Sequence, residues 1–171
     1  MSKIYITGIS GVGKSTLGIE LNKRGIISFD LDAIKGLCHW QHKSTKERAH
    51  YYTGIGKDWL DAHDYICDQK KLEALLSEQK GNVAVLGLAS NQDDFLSLFD
   101  KLFLLHCKKE VFLHRLNTRN EGNHFAKDES EQQHILAWYQ DFENKMRTRG
   151  AIAINTEQPT SVIADKIIAE I

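Results

Sequence analysis

Apolar residues along this chain alternate between two rhythms. Short runs rich in β-branched and aromatic residues occupy 3–7, 26–29, 83–88, 101–106 and 151–154, and each has the length of a buried strand. Between them, apolar positions recur three or four residues apart, the period of an amphipathic helix. Residues 14–24 carry Leu17 and Leu21 and stop at Gly25, a residue suited to the left-handed position after a helix. Residues 57–80 bring Trp59, Ala62, Ile66, Leu72, Leu75 and Leu76 near one face and close at Gly81, which predicts one long helix. Ser90 or Asn91 is placed to cap a short helix with Asp at its start. Three more helices are predicted over 108–118, 128–149 and 160–170, the second with Ile135, Trp138 or Tyr139, Phe142 and Met146 on one face. Residues 119–127 are polar and aperiodic and read as a loop, and 38–56 show no clear period.

Apolar strands separated by helices predict a parallel sheet covered on both faces. The fold class is therefore α/β, with three α/β/α layers in one domain over 1–171. A chain of 171 residues buries roughly 70% of the surface its unfolded form exposes, enough for a single core. Charge narrows the partners. A formal net charge of −1 gives no basic excess for nucleic acid or an anionic membrane. No apolar stretch reaches the roughly 18 residues of a membrane span. Cys38, Cys67 and Cys107 are scattered without a C-x-x-C pair, which suits a reducing compartment and a cytoplasmic setting. Cys38-His39 with His42 lacks a second pair at zinc-site distance.

The chemistry is concentrated after the first strand. Gly8-Ile9-Ser10-Gly11-Val12-Gly13-Lys14-Ser15-Thr16 matches G-x-x-x-x-G-K-[ST] between a strand and a helix, the context that gives this motif its meaning. Glycines let consecutive N–H groups turn inward, so Gly11, Val12, Gly13, Lys14, Ser15 and Thr16 form a cradle for phosphate oxygens. Lys14 supplies a mobile charge for the β- and γ-phosphates, and the Ser15 hydroxyl is a ligand for Mg²⁺. ATP and Mg²⁺ are thus the expected cofactors. The D-x-x-G and N-K-x-D motifs of signalling GTPases are missing. An ABC or AAA machine needs more chain and an acidic Walker B strand end, where this chain reads Leu86-Gly87-Leu88-Ala89.

Two further segments sharpen the reading. Phe29-Asp30-Leu31-Asp32 ends the second strand and resembles the F-x-D-x-D element of shikimate kinases. Arg115-Leu-Asn-Thr-Arg119 ends the helix after the fourth strand and resembles the R-x-x-x-R entry to the lid of adenylate kinase-like enzymes. The chain thus looks like the small P-loop kinases, the shikimate kinase, gluconate kinase and adenylate kinase-like group. That resemblance implies a parallel five-stranded sheet ordered 2-3-1-4-5, a substrate-facing region over 31–65 and a lid over 119–127. It implies that Asp30 serves Mg²⁺ and that Asp32 aligns or deprotonates the acceptor. It also implies that Arg115 stacks on adenine and that Arg119 reaches the transferring phosphates. Catalytic roles then fall to Lys14, Asp32 and Arg119.

The acceptor stays open. Gly87-Leu88-Ala89-Ser90 stands where shikimate kinases carry a glycine triplet, and Arg48 is the only arginine between Lys43 and Lys57. The expected activity is transfer of the γ-phosphoryl group to a hydroxyl or phosphate of a small metabolite. Its alternatives are a nucleoside or nucleotide kinase, and a non-kinase ATP-binding regulator or slow NTPase. Among the aromatic residues, Trp40 is a candidate substrate contact, whereas Trp59 and Trp138 read as helical core.

Overall fold

The computed structural model describes residues 1–119 and 124–171. The first half runs β1 (Lys3–Thr7), α1 (Lys14–Lys23), β2 (Ile27–Asp30), β3 (Cys38–His42), β4 (Arg48–Ala49), α2 (Lys57–Ala62) and β5 (His63–Cys67). The second half runs α3 (Gln69–Ser77), β6 (Val83–Leu86), β7 (Lys101–His106), α4 (Lys109–Thr118), α5 (Glu129–Thr148), β8 (Ile152–Asn155) and α6 (Thr160–Ile168).

Five parallel strands form the main sheet in the order β2-β6-β1-β7-β8. Counting those strands alone, this is the expected 2-3-1-4-5. Side chains alternate between the faces of a strand, and β1 uses both faces for core. Ile4 and Ile6 join one apolar cluster with Leu17 and Leu21 of α1, Phe112 of α4 and Ile163 of α6. Tyr5, between them, joins the other cluster with Leu72 and Leu76 of α3, Met146 of α5, and Phe95 from the segment between β6 and β7. Helices therefore cover both faces, and the three-layer α/β/α architecture follows from burial on each side.

The departures fall between β2 and β6. The long helix expected over 57–80 is absent. Residues 63–67 instead form β5, which pairs antiparallel with β3, and β3 pairs antiparallel with β4 in a separate three-stranded sheet. Asp68 then caps α3, its carboxylate accepting from the Lys71 amide at 3.1 Å. The helix predicted after Asn91 is two short 3-10 turns. Asn91 does not cap them; its side chain accepts from the Cys67 amide at 2.9 Å and donates to the Cys67 carbonyl at 3.0 Å. Ser90 likewise pairs with Tyr65, so this loop secures the open edge of β5. Among the described residues, no helix is long and apolar enough to cross a membrane.

Candidate active site: a phosphate cradle beside two carboxylates

The carboxyl ends of β1 and β2 open on one cleft of about 640 Å³, the place where ligands gather in a parallel sheet. Its floor is the loop from Ser10 to Thr16. Gly11 takes φ 86°, and a Cβ there would lie 2.8 Å from the Phe112 carbonyl oxygen, so only glycine lets α4 approach this closely. Gly13 is the N-terminal flank of α1 at φ 99°, with no side chain capping the helix. The first amides of α1 are left facing the cleft as donors for an anion.

Lys14 lies across this loop. Its Nζ donates to the Gly8 carbonyl at 2.6 Å and the Ile9 carbonyl at 3.0 Å. Burial lowers its pKa from the ordinary lysine value, Asp32 and Asp30 oppose that shift, and Arg119 adds to it. One lysine thus feels both carboxylates and the second cation, and all four line the cleft.

Ser15 and Asp30, the residues expected from the sequence to serve Mg²⁺, lie within hydrogen-bond distance of each other. The Ser15 hydroxyl donates to Asp30 Oδ2 at 2.9 Å, while Asp30 Oδ1 accepts from the Asp32 amide at 3.1 Å. Asp30 therefore caps the 3-10 turn 31–33 with one oxygen and faces Ser15 with the other. A hydroxyl and a carboxylate oxygen side by side are hard donors of the kind Mg²⁺ takes, so the residues fit the ion. Asp32 reaches solvent at the cleft mouth, yet the groups packed round it raise its carboxyl pKa. Desolvation is the larger cause and the Asp30 charge the next; Tyr65, as a hydrogen-bond partner, and Lys14 pull the other way.

The two arginines meet the same cleft by different means. Arg115 donates to the Thr156 carbonyl at 2.8 Å, the Thr156 hydroxyl at 3.1 Å and the Val12 carbonyl at 3.4 Å. Its edges tie the phosphate loop to the turn after β8. Arg119 sits one residue past α4 and donates through Nη2 to the Phe125 carbonyl. Its Nε is buried without a hydrogen-bond partner among the described residues. Burial lowers its pKa. A half-buried cation with one buried donor unused is suited to an anion arriving in the cleft. Residues 120–123 of the expected lid lie outside the described residues; His124 and Lys127 are not among those lining the cleft.

A second cavity of about 360 Å³ is lined by Cys38, His39, Trp40, Arg48, Ala49, His50, Tyr51 and Tyr65. Tyr65 connects the two spaces, because it lines this cavity and interacts with Asp32, which lines the first. Trp40 is the centre of an aromatic group, with ring centroids 5.1 Å from Tyr65, 5.3 Å from Trp59, 6.1 Å from Tyr51 and 6.4 Å from Phe125. None of these five rings is fully buried. Trp59, expected in a helical core stripe, belongs to this group instead. Beneath it the fully buried Glu131 accepts from the Tyr51 hydroxyl at 3.0 and 3.1 Å, the Gly54 amide at 3.0 Å and the Ala126 amide at 2.9 Å.

Several cleft residues escaped the sequence reading. Thr156, Gln158 and Thr160 follow β8 and line the cleft; Pro159, the one proline, was the available sign of a turn there. Ile19 also lines it, 61% exposed on α1, an apolar residue off the Leu17 and Leu21 stripe. Arg147 and Arg149, at the end of α5, pair with Glu143 and Asp93.

A family model described as an AAA domain matches residues 4–136. The chain belongs to that family. The expectation that set aside an AAA machine concerned chain length and a strand-end acid; the match is to the domain itself. Similar folds are found in solved structures of small P-loop kinases. Shikimate kinase from Acinetobacter baumannii in complex with shikimate is 19% identical, with a TM-score of 0.62 over 99% of this chain and 92% of that one. Deoxyadenosine kinase from M. mycoides with bound dATP is 16% identical, with a TM-score of 0.58 over 98% of each chain. A gluconokinase from Sinorhizobium meliloti 1021 is 19% identical, with a TM-score of 0.53 over 98% and 90%. At these identities the likeness is one of fold. No curated protein matches by sequence.

Proposed function

We propose that this protein is an ATP- and Mg²⁺-dependent phosphotransferase that moves the γ-phosphoryl group to a small acceptor held in the second cavity. The observation that carries the reading is the convergence of Lys14, Ser15, Asp30, Asp32 and Arg119 on one cleft. Lys14 and the α1 amides bind the phosphates, and Arg119 brings its unused donor toward charge that builds on the equatorial oxygens. Ser15 and Asp30 hold Mg²⁺, which when bound neutralises charge on the phosphate oxygens. Asp32, its pKa raised by burial and the Asp30 charge, takes the proton of an acceptor hydroxyl as that oxygen bonds to phosphorus and the bond to the ADP oxygen breaks. Arg115, with its edges fixed, offers the face of its guanidinium to the base.

The half-open aromatic group favours an acceptor with a planar ring, a nucleoside-like molecule, since flat apolar walls gain most from a flat ligand. Arg48 and the imidazoles of His39 and His50 add polar partners. A cytosolic setting supplies ATP and keeps the three thiols reduced.

The test is ATP consumption measured against a panel of hydroxyl-bearing metabolites, nucleosides and nucleotides, with an acceptor-free control. A kinase gives ADP release at least about tenfold above the control with one acceptor class. A rate that no acceptor changes would leave a slow NTPase or an ATP-binding regulator.

A further inference from the structure

Outside the phosphate cleft, two thiols face each other on the small sheet. Cys38 and Cys67 are direct partners in the β3–β5 register, and both are free thiols. The Cys67 amide and carbonyl are both taken by the Asn91 side chain, so this pair exchanges no backbone hydrogen bonds across the strands. In an antiparallel ladder such pairs stand with Cα atoms about 4.5 Å apart and side chains on the same face. That separation falls within the roughly 4.4–6.8 Å range of disulfides. We propose that Cys38 and Cys67 are an oxidation site, closing reversibly into a cross-strand disulfide on the wall of the second cavity.

The two sulfurs already interact. Their hydrogen bond raises the Cys38 pKa and lowers that of Cys67, so Cys67 is the more acidic thiol. Access is divided the other way. Cys38 is half-buried and lines the cavity, whereas Cys67 is 1% exposed. A peroxide is small enough to enter by that route. It oxidises the Cys38 thiol to a sulfenic acid and leaves as water. The Cys67 sulfur then attacks the Cys38 sulfur, the S–S bond forms, and the sulfenic oxygen leaves as a second water. Two thiols and one peroxide give one disulfide and two waters; a dithiol reductant reverses the change.

Closure has a consequence for the neighbouring site, and this half rests on the phosphotransferase reading. Tyr65 interacts with both Cys38 and Asp32. Drawing the Cys38 sulfur into a disulfide removes one partner of Tyr65 and alters the setting of Asp32. It also fixes β3 to β5 beneath Trp40, on the acceptor wall. Oxidation therefore lowers acceptor-dependent turnover and leaves ATP binding in place.

The experiment uses the full chain treated with hydrogen peroxide, then denatured, alkylated and weighed intact, with and without prior dithiothreitol. The expected result is a monomer that takes up one alkyl group instead of three, the survivor mapping to Cys107, with all three restored by reductant. Cys107→Ser keeps the bridge, and Cys38→Ser abolishes it at a half-buried position that tolerates the change; Cys67→Ala is the second check. Three alkylated thiols after peroxide, a bridge to Cys107 or to another chain, or oxidation that stops on Cys38 overturns the proposal. Thiol counting needs no acceptor, so its failure is distinct from failure of the phosphotransfer reading. Turnover unchanged in the bridged protein overturns the regulatory half.

Discussion

Lys14 is engaged before any nucleotide arrives, since the carbonyls of Gly8 and Ile9 take its ammonium protons. ATP must exchange those bonds for phosphate ones, and charge-assisted hydrogen bonds favour the exchange. Lys14→Ala is predicted to weaken ATP-Mg²⁺ binding by about 10- to 100-fold, the loss of one charged contact, with the thermal midpoint nearly unchanged. Calorimetric titration of the folded variant checks it. The arginines separate by mechanism. Arg119→Ala is predicted to lower kcat by about 10²–10³-fold, because its charge matters most as the phosphoryl group departs. Arg115→Ala is predicted to raise the KM for ATP. It also costs about 1–3 kcal/mol of stability, because Thr156 and Val12 lose their clamp. Steady-state kinetics beside a denaturant melt tells the two apart. Asp32 carries a stability signature of its own. Its carboxyl pKa is raised in the folded protein, so as pH climbs past the ordinary carboxylate range the unfolded chain loses this proton first. The native state then binds more protons, and stability falls across the interval up to the raised value. Asp32→Asn is therefore predicted to melt higher than the parent at neutral pH and level with it in acid. The same variant loses about 10²–10⁴-fold in acceptor-dependent kcat.

At the level of elements, β5 depends on a loop far along the chain. Asn91 satisfies both backbone groups of Cys67 from 24 residues away. Asn91→Ala is predicted to cost about 2 kcal/mol by orphaning them, and Asn91→Asp about half that, since the carboxylate still accepts from the amide; urea midpoints measure both. This strand also marks where the sequence stopped being legible. The phosphate loop could be read because its glycines, lysine and helix start interact within a few residues. The order of the parallel sheet followed by resemblance from clean apolar runs. Between 57 and 80 the same positions fit a helix face and a helix-strand-helix passage equally well. What decides is pairing with β3, some 25 residues earlier, and a strand of half-buried polar and aromatic residues gives no local sign of its partner. Arg115 was legible as a residue type near a nucleotide, but its grip on Thr156 was not, because position 156 reaches it only through the fold. Glu131 lies in the first turn of α5, yet it serves Ala126, Gly54 and Tyr51 rather than its own helix start, contacts that form only through the fold.

Taken whole, the molecule is a three-layer block with a small sheet beside it, and its two cavities adjoin at Tyr65. Glu131 spans that junction. A single buried carboxylate holds Ala126 near the far end of the expected lid, Gly54 in the connection after β4, and Tyr51 on the wall of the second cavity. The lid end cannot shift without straining Tyr51, and a ligand that settles against Tyr51 steadies the lid end. On the phosphotransferase reading, binding of nucleotide and acceptor is predicted to be coupled in free energy, and such coupling is reciprocal. The acceptor is predicted to tighten ATP by the same factor by which ATP tightens the acceptor, about 5-fold or more for a coupling near 1 kcal/mol. Titrations run in both orders measure the two factors. Glu131→Gln, which keeps an oxygen for only some of those donors, is predicted to bring both factors toward one together, and to leave each ligand binding alone nearly as before. A carboxylate sealed in the core is then what lets one cavity register that the other is filled.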